Sequence, residues 1–136
     1  MKRKHIYIIG FIAVLTAFSC AKERGPHLTV FVHESNGTPA VGATVHAWPG
    51  NDPQNGGSGI VDEEMDQVAT TDASGNANFD FKASAVLDID VLYYKNGVDS
   101  LLNPTVDTLS GSMVTKIESK RQRDEANNYS ETVEVK

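Results

Sequence analysis

Few side chains in this sequence could do chemistry by themselves. Cys20 is the single thiol in 136 residues, and a thiolate is both a nucleophile and a soft metal ligand. His33 and His46 stand in two apolar-alternating stretches, FVH and TVHAW. An imidazole pair built from them is the weakest of the metal candidates. The acids Asp62, Glu63, Glu64 and Asp66, with Asp52 upstream, fall in PGNDPQNGGSGIVDEEMDQ, residues 49–67. Carboxylates gathered in one loop could offer oxygen ligands to Ca²⁺. Their spacing matches no defined calcium loop, so a solvated acidic loop is the plainer reading. Trp48, with Tyr93 or Tyr94, could form a stacking platform for a sugar or a peptide. Phe31 and His33 share the parity of His46 and Trp48, opposite the core residues of their segments. If the two segments are neighbours, that parity makes one aromatic–histidine patch, unless it is buried or covered by a second layer.

What surrounds Cys20 decides its chemistry. Lys2, Arg3 and Lys4 open the chain, and the run IYIIGFIAVLTAFS, 6–19, carries no charge. A basic segment, a short apolar run and small residues before a cut site make a secretory signal. The run is shorter than the roughly 20 residues of a spanning helix, which leaves a residual anchor helix as the lesser alternative. Ala17-Phe18-Ser19-Cys20 resembles the lipobox of bacterial lipoproteins. The resemblance implies a diacylglycerol on the Cys20 thiol, cleavage just before it, and acylation of the new amine. A cysteine placed by chance at the end of an ordinary signal peptide is the competing reading. With the lipoprotein reading, residues 1–19 are the signal peptide, 20–27 a lipidated tether and 28–136 the folded domain.

Residues 20–136 amount to 117 residues, one domain's worth of chain. Without Lys2, Arg3 and Lys4, nine basic side chains face eighteen acidic ones, a formal balance of −9. A field of that sign disfavours nucleic acid and anionic headgroups as partners. A lipidated Cys20 leaves no thiol, which excludes disulfides, zinc–thiolate sites and cysteine catalysis. No cofactor motif stands out, and none is expected.

The rest of the chain alternates with period two, the mark of half-buried strands. LTVFVH puts Leu28, Val30 and Val32 on one face, and Asn36-Gly37 supplies a turn. VGATVHAW turns Val45 and Ala47 inward. QVATT leads to the tight turn TDASG. NANFDF turns Ala77, Phe79 and Phe81 inward, and LDIDVLYY turns Leu87, Ile89, Val91 and Tyr93 inward with Asp88 and Asp90 outward. Lys95-Asn96-Gly97-Val98 reads as a hairpin turn into a strand VDSLL. KIESKRQRDEANN, 116–128, lacks an apolar stripe and reads as an exposed loop or hairpin arm. SETVEVK closes the chain with Val133 and Val135 inward. About seven short strands and no helical period predict an all-β, antiparallel two-sheet sandwich.

Three stretches carry a resemblance to the carboxypeptidase regulatory-like and transthyretin-like (prealbumin-like) sandwich domains. They are GTPAVGATVHAW, TTDASGNANFDF and LDIDVLYY, and the matching positions are Gly37, Pro39, Gly42, Ala43, Val45, Thr71, Asp72, Gly75 and Phe79. The match covers Leu28 to about Leu102 and implies a fold more than a function. Some transthyretin relatives hydrolyse 5-hydroxyisourate with two His, an Arg and a C-terminal Tyr-Arg-Gly-Ser. This chain ends TVEVK and no Arg follows His33 and His46 at a suitable spacing, so that activity is not expected. Other sandwich modules form Lys–Asn cross-links beside a buried acid, for which Lys82 and Lys95 are the only candidates.

The expectation is therefore a lipid-anchored cell-envelope lipoprotein of a Gram-negative bacterium, at the outer membrane. Its sandwich is expected to be a non-enzymatic binding or assembly module for an envelope protein or a glycan. An accessory subunit of an outer-membrane protein or glycan-uptake complex is the alternative. The expected recognition surface is Trp48, Tyr94, Asp62, Glu63, Glu64 and Asp66, with the 49–67 loop foremost.

Overall fold

The computed structural model describes residues 25–50, 64–119 and 127–136. Seven strands run in chain order: β1 His27–Glu34, β2 Thr44–Pro49, β3 Gln67–Thr70, β4 Asn76–Asp80, β5 Ala85–Val98, β6 Pro104–Ile117 and β7 Asn128–Val135. They form a three-stranded sheet, β4-β1-β7, packed on a four-stranded sheet, β3-β2-β5-β6. The expected two-sheet sandwich is present, and the described residues contain no helix. One ladder is parallel, β1 with β7, because the chain crosses from β6 in one sheet to β7 in the other.

The core is the one the alternation requires. Leu28, Val30 and Val32 of β1, with Phe79 of β4 beside Leu28 in the same sheet, face Val45 and Ala47 of β2 and Leu87, Ile89 and Val91 of β5. Ile117, Val133 and Val135 close one side, and Met65 enters just before β3. Each strand contributes every second residue, since side chains of a pleated strand alternate between faces.

The turns show why particular residue types stand where they do. Asp72 Oδ1 accepts the backbone N–H groups of Ser74 and Asn76 at 2.8 and 3.0 Å, and Gly75 closes the turn at φ 79°. A Cβ on Gly75 would lie 2.6 Å from the Val32 carbonyl oxygen, so glycine is required twice over. Gly42 is constrained by its backbone alone. Its surroundings are open, and its left-handed φ of 79° is the constraint.

The region after Tyr94 also differs. Lys95-Asn96-Gly97-Val98 is strand, paired from Lys95 opposite Asp107 to Val98 opposite Pro104. The segment VDSLL is mostly turn, and the connection lies at Asp99–Asn103. β5 and β6 are each 14 residues long, whereas β2 reaches only as far as Leu92. The last part of this hairpin therefore projects past the sandwich as a two-stranded ribbon. Lys116 and Ile117 of the segment expected as a charged loop end β6, with Ile117 fully buried.

The strands share two poles. At one lie Pro26 and His27, Asp80, Gly50, Ala85 and Asn127: His27 pairs with both Asp80 and Asn128, and Phe81 N–H donates to the Pro26 carbonyl. At the other, Glu34 of β1 meets Lys95 of β5. The ribbon projects from this second pole.

Candidate ligand-binding face

Pairing of β2 with β5 sets Thr44 opposite Leu92, His46 opposite Asp90 and Trp48 opposite Asp88. All six have the parity opposite the core and share the outer face of the four-stranded sheet. The His46 ring stacks on Trp48, centroids 5.9 Å apart and planes 17° from parallel. Two carboxylates fix the stack from either end. Trp48 Nε1 donates to Asp90 Oδ2 at 3.1 Å, and His46 Nε2 pairs with Asp66 Oδ1 at 2.6 Å. Rigid aromatic faces lose little side-chain entropy on binding, and a stack held at both ends loses less still. Each carboxylate keeps further acceptor capacity, because an ionised carboxyl offers about four lone-pair positions.

Beside the stack lies an open groove of about 770 Å³ that crosses β5 and β6 and ends on β7. Thr44, His46 and Asp90 form its near wall, Ser110 and Ser112 its middle, and Glu134 its far wall. It continues onto β7 because Ser110 and Lys136 exchange two backbone hydrogen bonds, of 3.2 and 3.1 Å. Gly111 permits that approach, since a Cβ there would meet the Glu134 carbonyl oxygen at 2.5 Å. The groove thus offers hydroxyls, carboxylates and small side chains next to a flat aromatic surface.

The expected recognition residues are not brought together as a set. Asp62 and Glu63 lie outside the described residues. Glu64 and Asp66 diverge around the buried Met65, Glu64 pairing with Lys82 and Asp66 with His46. Among the described residues no group of three His, Cys, Asp or Glu side chains could hold a metal ion. Tyr94 is exposed on the same face as Trp48, but six strand positions, about 20 Å, separate it from Asp88 opposite Trp48. Tyr93 turns toward the core. The expected Trp48–tyrosine platform does not form, and His46 is the ring that stacks on Trp48.

The four-residue patch of Phe31, His33, His46 and Trp48 does not form either. β1 and β2 belong to different sheets, so the two pairs lie on opposite outer faces of the sandwich. Phe31 and His33 make their own tilted contact at 5.6 Å, and His33 Nδ1 sits 2.7 Å from the Glu34 carbonyl oxygen. The same separation puts His33 and His46 out of reach of a shared metal ion or a shared proton. Both lysines weighed for cross-linking lie against glutamates, Lys82 with Glu64 and Lys95 with Glu34.

Alternation alone does not mark Asp90, the groove hydroxyls or Glu134 as members of one site. Asp88 and Asp90 were legible as outward-facing, but which neighbours they meet depends on the β2–β5 register.

No protein-family model and no curated protein matches the sequence. Among solved structures, a candidate carbohydrate-binding protein of Pseudomonas aeruginosa is similar at TM-score 0.51 and 10% identity, over 88% of this chain and 95% of that one. A 9R-lipoxygenase of Cyanothece aligns at TM-score 0.42 and 16% identity, over 87% of this chain and 17% of the enzyme. At these identities the likeness concerns the fold. The class defined is a two-sheet β-sandwich carrying a preorganised aromatic–carboxylate face.

Proposed function

We propose that the protein is a lipoprotein of the bacterial cell envelope, anchored through Cys20 at the outer membrane, whose sandwich binds glycan non-covalently on the outer face of β2, β5 and β6. The observation that carries the binding reading is the Trp48–His46 stack held between Asp90 and Asp66 at the mouth of the groove. A sugar ring has an apolar C–H face that packs on an aromatic plane, and hydroxyls that donate to carboxylates. The face supplies both elements side by side. A rigid aromatic anchor bordered by a few placed polar groups is the usual composition of a small-ligand site. The likeness to a candidate carbohydrate-binding protein supports the same reading. The acidic character of the chain favours neutral or amine-bearing sugars over anionic polymers.

The Lys2–Lys4 and 6–19 segments and the Ser19-Cys20 pair support the anchoring part of the proposal. One acyl chain holds a protein to a bilayer only marginally, whereas two or three hold it stably. The two parts of the proposal are tested apart. Labelled fatty acid should enter the wild-type chain and not Cys20→Ser; equal labelling overturns the anchor. For the glycan, residues 20–136 carrying Cys20→Ser are titrated calorimetrically against neutral, amine-bearing and anionic oligosaccharides. Binding to a neutral or amine-bearing member that Trp48→Ala abolishes is the expected result. Unchanged binding by Trp48→Ala, or binding confined to anionic members, overturns the assignment of this face.

A further inference from the structure

The β5–β6 ribbon belongs to neither the core nor the glycan face. Past Tyr93 and Leu109, which still pack on the core, it extends about 15 Å as two strands. Leu101 and Leu102 at its tip are 79% and 81% exposed, and Val106 on β6 is 60% exposed. A lone hairpin in water is at best marginally stable, yet this tip is built to be rigid. Asp99 Oδ1 accepts the N–H groups of Leu101 and Asn103 at 2.8 and 2.9 Å, and Asp99 Oδ2 accepts Asn103 Nδ2 at 3.0 Å. Leu102 is held at φ 63°, the one non-glycine residue with positive φ among those described. A bulky residue in that region is a strained outlier. Here the strain displays two adjacent leucines to solvent.

The ribbon also leaves a strand edge open. β6 is the last strand of its sheet. Ser110 turns its N–H and carbonyl away from β5, toward Lys136. By the alternation of an antiparallel ladder, Thr108 and Val106 turn theirs to the same side. Among the described residues no strand pairs there.

We propose that this ribbon docks a partner protein, which lays an extended segment along β6 at Val106–Thr108 and receives Leu101 and Leu102 in an apolar pocket. Three other occupants are disfavoured by geometry. The segments 51–63 and 120–126 leave and rejoin the fold at the pole opposite the tip. To go out and return, residues 51–63 reach at most about 24 Å, against about 30 Å along β5 from Leu87 to Asn96, which lies opposite Val106, and about 36 Å to Val98 below the tip. The bilayer that holds Cys20 lies at that same far pole, since the tether joins at Gly25. A second copy would pair β6 with β6 by a twofold axis, which forces the strands antiparallel. The two tethers would then point in opposite directions and could not share one leaflet. The last two arguments rest on the anchoring proposed above. An open strand edge and a projecting apolar knob remain, and a protein chain complements both.

The test uses the full-length chain in intact envelopes, with a photo-crosslinking residue placed in turn at Leu101, Val106 and Thr108. Expected is an adduct to one and the same polypeptide from all three positions. Mapped peptides should put the Val106 and Thr108 adducts on one partner segment about two residues apart. Leu101→Asp with Leu102→Asp should cut the Val106 and Thr108 adducts at least tenfold, and Trp48→Ala should leave them unchanged. Unaltered far-ultraviolet circular dichroism of the double variant excludes unfolding as the cause. Adducts to a second copy of this chain, adducts to lipid, scattered adducts to several proteins, or none at Val106 and Thr108 each overturn the proposal. Fatty-acid labelling of the same cells reports the anchor separately, so failure of the tether and failure of the docking are read apart.

Discussion

Lys95 Nζ lies 2.5 Å from Glu34 Oε2, joining the end of β1 to β5 where the ribbon leaves the sandwich. The two ends of this pair are unlike. The Glu34 side chain is 10% exposed and that of Lys95 43%, so the carboxylate is the group that needs its partner. Lys95→Met leaves Glu34 buried and unpaired, whereas Glu34→Gln leaves a lysine that can turn to water. Lys95→Met should therefore lower the melting temperature more than Glu34→Gln, and the double variant should recover part of the loss. The hydrogen bond to Glu34 raises the Lys95 pKa above the ordinary 10.5, partly opposed by desolvation. A raised lysine pKa contributes stability in full below that ordinary value and loses it as pH rises through the folded one. The gap between wild type and Lys95→Met, measured by thermal melts, should be constant at neutral pH and close only above about pH 10.5.

At the ribbon tip the sign is opposite. Asp99 is held below its ordinary 3.8, first by the Asn103 side chain, then by the backbone N–H groups of Asn103 and Leu101. The tip should be ordered above that ordinary value and loosen as pH falls through the lowered one. Amide exchange at Leu101 and Asn103 should accelerate there, ahead of global unfolding. Asp99→Ala should free the same amides at neutral pH, and Asp99→Asn, which keeps an acceptor oxygen, should free them less. Equal protection in wild type and Asp99→Ala would show that the carboxylate does not order the tip.

How far the sequence carries the fold depends on whether a feature is local. Val30 and Val45 are buried because strand alternation is a property of a few consecutive residues, and the TDASG turn closes on its own side chain. Asn96-Gly97 misleads for the same reason. It is a strong turn signal by itself, but Gly97 lies opposite Thr105 in a ladder that runs to Val98, and Asp99 with Asn103 offers the better-bonded turn. The binding face is non-local. Trp48 and His46 could be picked out as outward-facing rings, and Asp88 and Asp90 as outward-facing acids. That His46 meets Asp66, and Trp48 meets Asp90 rather than Tyr94, follows from registers spanning 20 and 42 positions. Alternation within one strand says nothing about register between two.

Trp48 is the single tryptophan, which makes it a reporter for its own site. Asp90→Asn keeps an oxygen that can accept the indole N–H, so the stack should persist and affinity for a neutral sugar should change less than about threefold. Asp90→Ala frees the indole edge, and His46→Ala removes the stacked ring. Each should weaken binding by roughly tenfold, about 1.4 kcal/mol, less than the loss in Trp48→Ala because the main contact plane remains. Tryptophan fluorescence titration checks the order. Asp90→Asn losing as much as Asp90→Ala would mean that the charge, not the hydrogen bond, is what the ligand reads.

Thr71 offers the sharpest stability test, because its hydroxyl works in both directions at a buried position. Its Oγ1 accepts the Ala43 N–H at 2.8 Å and donates to the Ala40 carbonyl at 2.6 Å, and the residue is 4% exposed. These two bonds tie the strand-entry corner around Gly42 to the turn that holds Asp72 and Gly75. Thr71→Val keeps the shape and removes both partners at once, leaving one buried N–H and one buried carbonyl without that hydroxyl. Each such group costs about 1–3 kcal/mol, so the substitution should lose roughly 3 kcal/mol and lower the melting temperature by about 10 °C. Thr71→Ser retains the hydroxyl and removes one methyl, and should lose only about 1 kcal/mol. Urea titrations of the two variants separate the terms: if Thr71→Val and Thr71→Ser fall together, packing of the methyl holds this corner and the hydroxyl does not.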